Sequence, residues 1–354
     1  MGIVNVCLAM LFMLFNTIWG INMECIDFII TWVDGADKAW QMEKKKYSCI
    51  DINDDREERY RDWGILKYWF RGVEKYAPWV NKIYFVTWGH IPKWLNTKNP
   101  KLKIMCHNDF IPEKYLPTFN SHTIELNFHR IKGLSEQFVY FNDDMFIINN
   151  VSEQDFFKNG IPVDMLALQP VVANKDNNVM PYIYLNNAMV IAKYFDKREN
   201  IKKHFNKYFH IGYPLMYFFY NMLEYLYPRF TGFYTVHGAS PLLKKTYLEL
   251  WDKESELLDR CCLNKFRSKE DVSQYLLREW QKLTGNFAPV NVKKFSWYFE
   301  LKEDNEKLYR VLKKHSHKMV CINDANETID YNDIKKQLIE SFEAAFPDKS
   351  SYEL

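Results

Sequence analysis

The stretch Ile26–Val33 reads IDFIITWV, a short apolar run rich in β-branched and aromatic residues that breaks at Asp34-Gly35. A run of that length, closed by a turn signal, predicts a buried strand ending in a tight turn. The signature recurs outward along the chain. Lys82–Thr87 (KIYFVT) predicts a second strand closing at Gly89, Leu102–Cys106 a shorter third, and Phe138–Phe141 (FVYF) a fourth running into Asn142-Asp143-Asp144. Between them, Arg56–Tyr76 carries Ile65, Leu66, Trp69, Phe70 and Val73 at helical spacing and stops before Pro78. Phe119–Ile131 also reads as a helix. Strands alternating with helices predict an α/β fold with a parallel-type sheet covered on both faces.

Beyond residue 160 the pattern loosens, punctuated by Pro162, Pro170 and Pro181. The segment Ile211–Phe233 is strongly aromatic and apolar nearly all round between Pro214 and Pro228. That predicts a fully buried helix, the alternative being a helix lying on a membrane or a partner. Leu242–Asp259 and Ser268–Thr284 read as amphipathic helices. Lys318–Ile322 reads as a last strand ending at Asn323-Asp324, and Tyr331–Phe346 as a closing helix. The chain carries no internal repeat and no low-complexity segment.

The 354 residues suffice for one large α/β domain or a core with a smaller helical part. With 47 basic against 45 acidic residues, the chain lacks the basic excess of a nucleic-acid binder. The seven cysteines are Cys7, Cys25, Cys49, Cys106, Cys261, Cys262 and Cys321, an odd number without CxxC or zinc spacing. They predict free thiols, buried at the adjacent Cys261 and Cys262, and a reducing, cytoplasmic compartment. Ile3–Ile21 carries no charge and is about as long as a membrane span of ~20 residues, yet no Lys or Arg precedes it. Residues 1–22 therefore read either as an anchor to the cytoplasmic face of a membrane or as a poorly packed leader, with a cleaved signal as the outside alternative. Oligomeric state leaves no trace in the sequence.

Chemistry is expected first at Asp143 and Asp144. Ligands of open α/β sheets bind at carboxyl strand ends, and paired carboxylates there supply hard oxygen ligands for Mg²⁺ or Mn²⁺. Asp also simply ends strands; a second acidic strand end at Asp324 favours the metal. Asp34-Gly35-Ala36-Asp37 is either a nucleotide-reading loop or a plain turn. His237, among helix breakers in HGASP, is a candidate general base or an ordinary loop histidine. Arg267, in FRS before a helix, is a candidate phosphate clamp or a surface salt-bridge partner.

Four blocks resemble the regions that define Stealth proteins, which include capsular polysaccharide phosphotransferases. They are Ile26–Asp37; Arg59–Val80 continuing through Ile83–Leu95 to Tyr115–Phe146; His237–Glu254 with Phe266–Trp280; and Cys321–Ala325 with a tail ending at Phe346–Glu353. The resemblance implies a Rossmann-like core similar to metal-dependent nucleotide-sugar transferases, with a helical C-terminal part. It divides residues 23–354 into a nucleotide-sugar and metal half (23–160), an acceptor region (161–235) and a helical part completing the site (236–354). By motif position it assigns catalytic roles to Glu125, Asp144, His237 and Arg267, and metal ligation to Asp143, Asp144 and Asp324. Within the same blocks, substrate contacts are expected at Trp32, Asp34, Gly35, Asp37, Arg61, Asn120, Arg130 and Asn142. Trp63 stands where the family usually has Asn, a departure that bears on donor preference if that Asn touches the donor. The implied reaction transfers a hexose-1-phosphate from a UDP-sugar, such as an N-acetylhexosamine, to a glycan hydroxyl and releases UMP. The alternatives are a metal-dependent glycosyltransferase that moves the sugar alone and releases UDP, and a non-catalytic glycan-binding protein.

Overall fold

The computed structural model describes residues 25–48, 61–172, 179–324 and 330–354. The apolar segment 1–22 lies outside them, and no helix among the described residues is long and apolar enough to cross a membrane. The first part of the chain forms β1 (Ile26–Thr31), α1 (Lys38–Tyr47), α2 (Leu66–Tyr76), β2 (Ile83–Thr87), β3 (Leu102–Cys106), α3 (Ser121–Leu126), β4 (Gln137–Phe141), β5 (Met145–Ile147), β6 (Phe157–Lys158) and β7 (Ile161–Asp164). Then come α4 (Met180–Tyr194), α5 (Lys197–Lys203), α6 (Phe205–Tyr208), α7 (Leu215–Glu224), β8 (Ser240–Leu243), α8 (Lys244–Lys253), α9 (Ser255–Leu263) and α10 (Tyr275–Leu283). The remainder holds β9 (Ala288–Pro289), β10 (Ser296–Glu300), α11 (Glu306–Lys314), β11 (Met319–Asn323) and α12 (Tyr331–Ala345).

The central sheet runs β3-β2-β1-β4-β8. Strand β1 pairs in parallel with both β2 and β4, and β2 with β3, as the alternating pattern predicts. After β3 the chain crosses back to place β4 on the other side of β1. That reversal opens a crevice at the carboxyl ends of β1 and β4, where residues 32–37 and 142–144 sit. Strand β8 is the departure. It begins three residues after His237, in a segment read from sequence as a loop, and pairs antiparallel with β4. As the sheet's edge it tolerates Pro241.

Alternation along the strands divides the core. Phe28, Ile30, Phe85 and Phe141 face one apolar cluster, and Ile29, Tyr84, Val86 and Tyr140 face the other. The first is covered by α2 and α12, through Trp69, Phe70, Leu338 and Phe342, and extended by a small sheet of order β10-β11-β5. There Arg71 of α2 donates to Glu353 at 2.8 Å, both side chains buried, while Tyr352 packs on Phe70. The second cluster is covered by α8, α9, α10 and part of α4.

Several boundaries differ from expectation. Residues 61–65 of the expected Arg56–Tyr76 helix are not helical, because Gly64 turns the chain at φ +72° and α2 starts at Leu66. The expected Phe119–Ile131 helix shrinks to α3, capped by Asn120 and closed at Asn127. Trp63 is buried against Tyr331, with ring centroids 4.8 Å apart, so it works as a packing anchor. Helix α10 is not amphipathic in its surroundings: all nine residues are buried, including Arg278, Glu279, Gln281 and Lys282. Helix α7 is not fully buried, since only Tyr217, Asn221 and Glu224 turn inward. Cys25, Cys106, Cys261, Cys262 and Cys321 are free thiols, as expected, with Cys261 and Cys262 buried.

Candidate active site

Asp144 stands just past the end of β4, where its backbone carbonyl accepts the Ile322 amide at 2.8 Å and ties it to β11. That pairing fixes the side chain between two partners. Its Oδ2 lies 3.0 Å from His237 Nε2 and accepts from the Cys321 thiol at 3.2 Å. Ligand atoms of Asp144, His237 and Cys321 lie within 4.8 Å of one another, close enough to hold one metal ion. The other oxygen, Asp144 Oδ1, is buried without a hydrogen-bond partner. Leaving such an oxygen unpaired is costly, and a cation is the ligand that relieves it.

Asp143 extends the same argument. Its side chain is exposed just past the end of β4. Desolvation by the protein packed near it, then the like charges of Asp144 and Asp62, push its carboxyl up to about 7. An acidic group so destabilised in its charged form fits a position completed by a positive ion. The oxygen donors suit Mg²⁺ or Mn²⁺. Cys321 is the soft exception, but burial and the neighbouring Asp144 raise its thiol far above the ordinary range, so it serves as a hydrogen-bond donor. Asp324, the third expected metal residue, lies just past β11 and pairs with Arg61 at 3.5 Å.

His237 is held from both sides. Burial would lower its pKa, but the Asp144 charge and hydrogen bond override it and hold the imidazole above its ordinary 6.5. Its Nδ1 lies 2.8 Å from the hydroxyl of Tyr275, at the start of α10. One turn further, buried Arg278 forms a two-pronged pair with Asp164 at 2.9 Å each and donates to the carbonyl of Val236, next to His237. The polar side of α10 thus faces inward because it frames the histidine and the strand that follows.

Arg267 and Glu125 join this centre through space. The Arg267 guanidinium donates to Ser121 Oγ at 2.7 Å, and its charge opposes protonation of His237. Glu125, buried in α3, accepts from Tyr140 at 3.2 Å, and its charge favours protonation of His237. Asn120 is buried; its amide donates to Phe266 O and Asp271, which ties the loop carrying Arg267 to α3. That leaves Asn120 supporting Arg267, with its own side chain already engaged. Arg130 lies apart: it donates to Asn127 and rests over the Trp251 ring on α8.

At the end of β1, Trp32 is buried with its ring 5.2 Å from that of His90. His90 Nε2 accepts the Asp34 amide at 2.8 Å, which burial helps by keeping the imidazole neutral. Asp34 then caps Ala36 N, Gly35 accepts from Gln41, and Asp37 caps α1 through Trp40 N. This turn faces Asn142 across the switch point, where Asn142 O accepts Met145 N. Tyr275, Cys321 and His90 escape the sequence reading. Tyr275 looks like a core aromatic of an amphipathic helix, and only pairing of β11 with β5, Cys321 opposite Met145, brings the thiol to Asp144.

Three family models match the chain: Stealth protein conserved region 1 over residues 25–51, conserved region 2 over 59–164 and conserved region 4 over 310–354. A capsular polysaccharide phosphotransferase WcwK of Streptococcus pneumoniae is 43% identical over 93% of this chain and 98% of its own. The receptor polysaccharide phosphotransferase WefC of Streptococcus oralis is 36% identical over 94% of this chain and all of its own. The exopolysaccharide phosphotransferase cps2G of Lactiplantibacillus plantarum is 36% identical over 93% of this chain and 96% of its own. Among solved structures, the galactosyltransferase LgtC aligns over 89% of this chain and 95% of its own at 10% identity and TM-score 0.36, too slight a likeness to carry an argument.

Proposed function

This chain belongs to the Stealth family of polysaccharide phosphotransferases, and from that premise we propose that it moves a hexose-1-phosphate from a UDP-sugar to a glycan hydroxyl. As a phosphotransferase of capsular or exopolysaccharide synthesis, it acts on a sugar donor and a sugar acceptor. The donor sugar we favour is an N-acetylhexosamine. The reading rests on one arrangement: a candidate base, His237, touching a carboxylate with an orphaned oxygen at the sheet's switch point.

The chemistry follows from those contacts. Trp32, Asp34, Gly35 and Asp37 at the end of β1, with Asn142 across the crevice, would receive the nucleotide. Asp143 and Asp144, with Asp324 at the rim beside Arg61, would hold Mg²⁺ or Mn²⁺. When bound, that ion would neutralise phosphate charge. With Asp144 Oδ2 drawn to the ion, His237 would give its Nδ1–H to the Tyr275 hydroxyl, and Nε2, released from Asp144, would be free to take a proton. The acceptor hydroxyl then gives its proton to Nε2 as its oxygen attacks the phosphorus nearer the sugar. The bond from that phosphorus to the bridging oxygen breaks, and UMP leaves with the electron pair. Arg267 would balance charge on the phosphoryl oxygens, and Glu125 would hold a ligand or the Tyr140 hydroxyl in place. The test is the released nucleotide, separated chromatographically after incubation with UDP-sugars and a glycan acceptor. UMP is expected; UDP would overturn phosphoryl transfer in favour of glycosyl transfer.

A further inference from the structure

Helix α7 carries an apolar face that nothing among the described residues covers. Leu215, Met216, Phe219, Met222, Leu223 and Leu226 repeat at spacings of one, three and four residues, which lines them along one side. All six are exposed, Leu215 by 69% and Leu226 by 73%, and Ile211 just ahead of them by 98%. The helix is nevertheless firmly seated. On its inner side, buried Asn221 donates to the carbonyls of Leu166 and Tyr208 and accepts the Leu168 amide. The apolar stripe is therefore presented by a rigid element.

The charge beside the stripe is mainly basic, with exposed Glu199 one turn before Lys202 and Lys203 on α5 as the acidic exception. From Asn200 to Leu223 the sequence contains no Asp or Glu, and Glu224 is buried against Lys197 at 3.0 Å. Lys202 and Lys203 at the end of α5 and Arg229 past α7 are exposed. The basic segment lies beside the stripe, because Phe205 packs on Phe209, which meets Phe218 of α7 edge-on at 5.0 Å. At ten residues, α7 rises about 15 Å, half of a bilayer's hydrocarbon core of ~30 Å. It can lie in an interface but cannot cross one.

We propose that α7 docks this protein on an anionic lipid bilayer, its apolar stripe sunk among the headgroups and Lys202, Lys203 and Arg229 against lipid phosphates. Exposed Tyr225 and Tyr227, amphipathic rings at the end of the stripe, suit that boundary. A second copy of the chain is a poorer occupant, since a symmetric pair would set two basic rims against each other. The inner side of α7 packs towards the segment before His237: the Tyr217 ring lies tilted 4.4 Å from that of Tyr234. The proposal stands on the surface alone and holds whichever nucleotide the enzyme releases.

The test uses the full chain and vesicles of phosphatidylcholine with or without phosphatidylglycerol. Flotation should carry the protein with anionic vesicles, falling about fivefold for each basic contact removed by Lys202→Glu or Lys203→Glu. Phe219→Glu with Leu223→Glu, both at exposed positions, should weaken partitioning roughly 30-fold or more, from the lost burial of two large apolar side chains. Circular dichroism of each variant should match wild type, so that lost partitioning reads the surface and not unfolding. Hydrogen exchange should show protection of residues 209–230 on anionic vesicles. The proposal is overturned by absence of binding, by binding without protection there, or by protection that tracks protein concentration in the absence of lipid.

Discussion

Asp164→Asn takes one charge from the buried pair with Arg278 and leaves the shape almost unchanged. Each Asp164 oxygen accepts from the guanidinium at 2.9 Å, and both side chains are enclosed beside α10. Burial alone would raise the Asp164 pKa; the charges of Arg278 and Lys282, with the Arg278 hydrogen bonds, hold it below its ordinary 3.8. Its contribution to stability is therefore full above the ordinary carboxylate range and is lost only as pH falls through the depressed folded value. Stranding the partner of such a pair costs about 3–5 kcal/mol, because the remaining charge cannot reach water. A chain of 354 residues unfolds with an entropy of roughly 0.7 kcal/mol/K, so the midpoint should drop by about 4–7 °C at pH 7. Scanning calorimetry reads this directly. Replacing the pair by Leu and Met at positions 164 and 278 should recover most of the midpoint. It should not recover turnover, because the Val236 carbonyl loses its Arg278 donor beside His237. A single variant melting within a degree of wild type would refute the charge argument. Full turnover in the double variant would refute the framing role of α10.

At the centre itself, Tyr275→Phe removes a hydrogen bond to His237 that is worth about 1.5–3 kcal/mol if the ring is charged. Turnover should fall roughly 10- to 150-fold with donor affinity unchanged by calorimetry; loss of donor binding instead would place Tyr275 in the nucleotide site. His237→Ala should lose about 10²–10⁴-fold in kcat and also keep donor affinity, while Arg267→Ala should lose both. EDTA should abolish activity and Mg²⁺ or Mn²⁺ restore it, but not in Asp144→Asn; undiminished activity in chelator would remove the metal.

The strands that make the crevice were legible because buried parallel strands read as near-continuous apolar runs, as β1, β2 and β4 do, while the edge strand β3 is broken by exposed Lys103. The strand ends then singled out Asp143 and Asp144, with the second acidic strand end at Asp324 favouring a metal over a plain turn. Other features depend on partners that no local window contains. The polar positions of α10 look solvated in sequence, yet Arg278 meets Asp164 across 114 positions and Gln281 meets Leu243 N across 38. Helix α7 fails in the opposite sense: its apolar content predicts burial, and only packing reveals that half its surface is left outside. Cys321 and Asp324 share one short motif, and only strand pairing separates their roles, sending the thiol to Asp144 and Asp324 to Arg61.

The pairing of Arg71 with Glu353 has a consequence for how the chain is made. It joins residues 282 positions apart, and α12 and Tyr352 cover the same side of α2. At ~5–20 residues per second, a ribosome that has placed α2 outside its tunnel needs about 15–60 s more to deliver its cover. Throughout that interval Tyr68 lacks Phe342, on which it stacks, and Phe70 lacks Tyr352. Nascent chains of this protein should therefore depend on holding factors at the tunnel exit, and slowing translation should lower the yield of folded enzyme.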